Sequence, residues 1–107
     1  MARRDGSPQP DPQVQQILDV LAEYERTHPQ AQIEGRRHSP VSIRLRIIDP
    51  DFHGKDRLER EPEIWRILQQ LPDDVFVNIT MLLLLTPKEA GKSFANQEFE
   101  HPIPSRV

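Results

Sequence analysis

Residues 51–65 read DFHGKDRLEREPEIW. Two chemistries are open to them. Lys55, Arg57 and Arg60 can meet an anionic or protein partner, and Glu59 with Glu61 form a carboxylate pair. The pair is a poor acid catalyst, because adjacent arginines hold both carboxylates ionised instead of keeping one protonated. No phosphate-cradling glycine loop, no HExxH spacing and no nucleophile beside a base is present. The chain therefore reads as non-enzymatic.

Plainer roles stand beside these. Gly54 supplies a positive φ at a turn. Lys55 and Arg57 pair loosely with Asp56 and Glu59. Arg60 is a structural salt-bridge donor, and Glu61 is an acid at a helix N-terminus, favourable against the helix dipole. Trp65 is core or a partly exposed anchor. A second basic group, Arg36, Arg37, Arg44 and Arg46, lies upstream, and His38 falls between the two strands expected there. His28 and His101 each precede proline and have no partner visible in the sequence, so they carry no functional signal.

The elements that must position these residues follow from periodicity. Residues 1–10 are polar and lack core-forming side chains, and they read as a disordered tail. Asp11-Pro12 reads as an N-cap with proline at the first helical position. Val14, Ile17, Leu18, Leu21 and Tyr24 then share one face of a helix of about four turns that ends before Pro29. Two strands follow, a polar edge strand near 30–36 and one in which Val41, Ile43, Leu45 and Ile47 alternate with polar residues. Ile64, Ile67, Leu68 and Leu71 mark the next helix, with Pro62 in its first turn. Residues 75–86 read as one long strand, with Leu82 and Leu84 on the face opposite the core. Thr86-Pro87-Lys88-Glu89 reads as a capping box for a short helix stopping near Gly91.

The order is αββααβ, an α+β fold with a three-stranded mixed sheet and helices on one face. The domain spans residues 11–91. Residues 92–107 form a C-terminal tail in which Phe94, Phe99 and Ile103 are the apolar residues, and it is expected to pack partly on the sheet over Leu82 and Leu84. The rival reading makes that patch a dimer interface, so the chain is a monomer or a homodimer.

Composition bounds the remaining roles. A chain of 107 residues makes one domain. It has no cysteine, hence no disulfide and no thiolate ligand, in keeping with a reducing compartment. The longest apolar run, MLLLL, is too short to span a bilayer, and the start is not a secretory signal. A cytoplasmic location is expected. The net charge of -3 weighs against a dedicated nucleic-acid binder, which carries a basic surplus.

The stretch also resembles the BolA-like family, whose order is αββααβ, a topology related to type II KH domains. The residues that carry the likeness are Ile47-Ile48 closing a strand, then Phe52, Gly54 and Lys55 of an F-x-G-K motif, then Leu58, Arg60 and the apolar helix. Thr86-Pro87 after the last strand matches too, and the likeness runs over residues 12–90. It implies a small regulatory or partner-binding module that shares an iron–sulfur cluster with a monothiol glutaredoxin. The family's signature histidine follows the arginine, and this chain has Glu61 there. His38 occupies the loop that supplies the family's second ligand, and His53 is the candidate substitute for the missing one. The alternative is a KH-like nucleic-acid-binding regulator using Arg44, Arg46, Lys55, Arg57 and Arg60. A KH domain clamps its ligand with a GxxG loop, and no second glycine follows Gly54.

Overall fold

The structure is a computed structural model that describes residues 3–102. Its elements are β1 (Arg3–Asp5), α1 (Pro12–Val20), α2 (Ala22–Thr27), β2 (Gln32–Ser39), β3 (Ser42–Ile48), a 3-10 turn (Pro50–Phe52), α3 (Arg57–Leu68), α4 (Asp73–Phe76), β4 (Ile79–Leu85), α5 (Pro87–Ala90) and α6 (Phe94–Glu100). The fold is α+β with one mixed sheet in the order β1-β2-β3-β4. β2 and β3 are antiparallel, while β1 on β2 and β4 on β3 are parallel. Among the described residues no helix is long and apolar enough to cross a membrane.

Helix α1 starts where Asp11 accepts hydrogen bonds from the Gln13 and Val14 backbone N–H groups. Its apolar stripe packs on the sheet. Val14, Ile17, Leu18, Leu21 and Tyr24 bury against Ile33, Ile43, Leu45 and Ile47, with Ile64, Ile67 and Leu68 of α3 completing the core. α1 approaches β2 closely at Gly35, where a Cβ atom would lie 3.0 Å from Val14 and 3.1 Å from Leu45.

Four features differ from the sequence reading. The sheet has four strands, because Arg3–Asp5 pair in parallel with residues 33–35. Side chains fasten that strand, with Arg3 donating to the Leu18 carbonyl at 3.0 Å and pairing with Glu25. The long strand expected over 75–86 begins only at Ile79. Pro72 with Asp73 and Asp74 starts α4 instead, which buries Val75. A register shift between Ile43 and Arg44 places Leu82 opposite Leu45 and Leu84 opposite Ile47. Those two leucines therefore face the core, and one inserted residue is enough to exchange the faces of a strand. Finally, helices lie on both faces. The C-terminal stretch expected as a tail contains α6, capped by Ser93, which lies over the arginine-bearing face and buries Phe99. Ile103 lies outside the described residues.

Candidate functional site

The 51–65 stretch is built from two caps and a glycine. Asp49 accepts the Asp51 N–H at 2.9 Å and starts the 3-10 turn that buries Phe52. Gly54 then takes φ 78°, a left-handed conformation that only glycine enters without strain. Asp56 and Glu59 form a reciprocal capping box that starts α3 at Arg57. Pro62 consequently lies inside the helix and not in its first turn, because the capping box fixes the start one turn and a half earlier.

This places the predicted partner-binding residues in very different surroundings. Lys55 and Arg57 are exposed, and Arg57 pairs loosely with Glu61 at 3.4 Å. Arg60 is not free. Its guanidinium donates to the Lys55 carbonyl at 2.8 Å, the Leu84 carbonyl at 3.0 Å and both oxygens of Glu89, and it lies over the Phe52 ring. It clamps the glycine turn, β4 and α5 together. Arg44 and Arg46 are occupied as well. Arg44 meets Glu98 at 2.6 Å, and Arg46 meets Asn96 at 2.8 Å together with Glu100 and Glu34. Phe99 is sandwiched between Arg36 and Arg46, whose guanidinium carbons lie 4.7 and 4.6 Å from its ring centre. Arg46 and Arg36 hold the Glu100 carboxyl below its usual range. The face expected to meet nucleic acid is therefore filled by the chain's own acidic helix.

The two candidate ligands His38 and His53 do not converge. His38 lies by the β2–β3 turn and His53 follows the far end of β3. At ~3.3 Å per residue, β3 alone separates them by about 20 Å. Glu61 faces Arg57 on α3. These residues do not fit an iron–sulfur cluster, whose ligands must meet at one point and are thiolate or imidazole.

Two other arrangements are built more purposefully. The first is the outer edge of β4. The Asp49 N–H donates to the Leu85 carbonyl, so Leu85 points inward to the sheet. By strand alternation Leu82 and Leu84 point their backbone groups outward. Arg60 takes the Leu84 carbonyl. The edge is floored by Ile79–Leu85 and walled by Arg57, Glu61 and Trp65 of α3 and by Ala95 of α6, leaving a groove of about 470 Å³. The strand ITMLLLL holds no charge and no proline.

The second is a cluster the sequence did not disclose. His28 Nδ1 lies 2.8 Å from Asp51 Oδ2 and 3.4 Å from Asp49 Oδ2, and its Nε2 lies 3.3 Å from Glu63. Tyr24 stacks on the imidazole at 4.0 Å and donates its hydroxyl to Asp49 at 2.6 Å. Burial and the Asp49 carboxylate push the Tyr24 phenol far above its usual range. The reading that His28 has no partners is thus corrected. Its carboxylate partners lie 21 to 35 positions away, and the only local hint was Tyr24, one helical turn before it.

No family model, curated protein or solved structure matches this chain.

Proposed function

We propose that this chain is a small non-enzymatic partner-binding module of BolA-like type, and that it takes an extended segment of a second protein on the outer edge of β4. The observation that carries this is the edge itself. Proteins normally protect such edges with charge, proline, a bulge or a covering element. Here the one irregularity lies at the start of β4, by Thr80, and the stretch Met81–Leu85 beyond it is apolar throughout, holds no charge and no proline, and borders a groove. An added strand gains main-chain hydrogen bonds from the sheet and side-chain specificity from the groove. Because Arg60 closes the Leu84 carbonyl, the free stretch is short. It suits a short segment with apolar side chains at alternate positions better than a full second copy of β4.

Two further observations favour the BolA-like type. The core order runs helix, β2, β3, helix, β4, with β2–β3 antiparallel and β3–β4 parallel. The motif residues also work as a unit, since Phe52 is buried, Gly54 makes the turn and Arg60 spans from that turn to β4. A monothiol glutaredoxin is the first partner to try, although the residues present do not supply a cluster site.

Mixing the full chain with a monothiol glutaredoxin, followed by amide hydrogen exchange, tests the proposal. Protection should rise at Leu82 and Leu84, and Leu83→Lys should weaken binding at least tenfold with little loss of thermal stability. Binding that leaves those amides unprotected, or that Leu83→Lys does not affect, sinks the proposal. Protection that appears without partner, together with a doubled mass in sedimentation, assigns the edge to a second copy.

A further inference from the structure

The His28 cluster joins the end of α2 to the turn after β3 and to α3. Asp49 is fully buried, His28 is mostly buried and Asp51 is exposed on the solvent side. Three carboxylates converge on one imidazole, and among the described residues no Arg or Lys forms an ion pair with Asp49, Asp51 or Glu63. A buried carboxylate needs a compensating charge or a full set of donors. Asp49 receives the Tyr24 hydroxyl and the Asp51 N–H, both neutral.

A neutral imidazole carries one N–H. If Nε2 holds it and donates to Glu63, the Nδ1 lone pair points at two carboxylate oxygens, an arrangement that a cation bound among the three atoms would satisfy. We propose that His28 Nδ1, Asp49 Oδ2 and Asp51 Oδ2 form a binding site for a divalent transition-metal cation of the zinc type. Geometry and chemistry both fit. The three atoms lie within 4.8 Å of one another. Zinc–nitrogen and zinc–oxygen bonds of about 2.0–2.2 Å in a tetrahedron set ligand atoms about 3.3–3.5 Å apart. The 3.4 Å between Nδ1 and Asp49 already meets this. The 2.8 Å to Asp51 requires a small withdrawal of an exposed side chain. Glu63 on the far ring nitrogen and Tyr24 on Asp49 are the outer partners that fix a metal-binding imidazole and carboxylate in orientation. Three protein ligands leave the fourth position, on the exposed Asp51 side, to water.

The test uses the full chain freed of metal with a chelator and titrated with zinc chloride by calorimetry at neutral pH. One zinc per chain should bind and raise the melting temperature. His28→Gln and Asp51→Asn should each weaken binding at least tenfold, and His53→Gln should leave it unchanged. Asp51 is exposed, so its variant keeps the test open should His28→Gln fail to fold. No stoichiometric binding overturns the site, as does undiminished binding by Asp51→Asn. A nitrogen NMR spectrum that shows a proton on His28 Nδ1 with zinc present also overturns it, and leaves His28 as an imidazolium latch among the carboxylates.

Discussion

The Arg60 guanidinium holds the Glu89 carboxylate with two nitrogens, Nη1 2.6 Å from Oε1 and Nη2 3.1 Å from Oε2. The same Oε1 accepts the Thr86 N–H at 2.9 Å, so one carboxylate is shared by a salt bridge and a capping box. Arg60 and the Thr86 N–H hold the Glu89 carboxyl down to about 2, from an ordinary 4.5.

That depression gives a pH dependence with a definite sign. Glu89 is more acidic folded than unfolded, so its contribution to stability is complete above pH 4.5 and is lost as pH falls toward 2. The side chain is 45% exposed, and solvent screening limits the contribution to roughly 1 kcal/mol or less. Urea titrations between pH 7 and 2 should show Glu89→Gln less stable than the parent at pH 7 and equal to it near pH 2. A constant difference across that range would place the effect in the cap and not in the charge.

Two phenylalanines of α6 should respond oppositely to truncation. Phe99 is 1% exposed and lies between two guanidinium groups, whereas Phe94 is 86% exposed. Phe99→Ala should cost about 3–5 kcal/mol, as for a buried aromatic, and should free Arg44 and Arg46 from the helix. Phe94→Ala should fall within about 0.5 kcal/mol of the parent. Denaturant midpoints decide between them, with retention of α6 in Phe99→Ala readable from amide exchange at residues 96–100.

Gly54 is a backbone test free of packing effects. A Cβ there meets nothing within 4 Å, yet φ is +78°. Gly54→Ala should therefore cost about 1–2 kcal/mol through conformation alone. Gly54→Asn should recover part of that, because asparagine tolerates the left-handed region. Equal stability of the alanine variant would mean that the turn relaxes to a negative φ.

Much of this molecule could be read from local pattern. The Asp11-Pro12 start and the stripe from Val14 to Tyr24 predicted helix over this stretch, because capping and 3.6-residue periodicity act over a few residues, although the single helix of about four turns is divided at Leu21 into α1 and α2. The strand through Ile43, Leu45 and Ile47, the Thr86–Glu89 box and the positive φ of Gly54 were legible for the same reason, whereas Val41, expected on that strand's apolar face, lies exposed before β3 begins at Ser42. The faces of β4 were not. A single inserted residue between the Ile43–Ile79 and Arg44–Met81 pairs reverses them, and register belongs to the pair of strands and not to either alone.

What only tertiary structure decided is which polar groups meet. Arg44 and Arg46 looked like an open basic face until α6 brought Glu98 and Glu100 onto them. His28 looked idle until the turn after β3 and the side of α3 delivered three carboxylates to its ring. Local sequence sets backbone conformation, because its forces act between near neighbours. A charge finds its partner only after the core has closed, so composition could establish which charges the chain carries but not which of them remain free to meet something else.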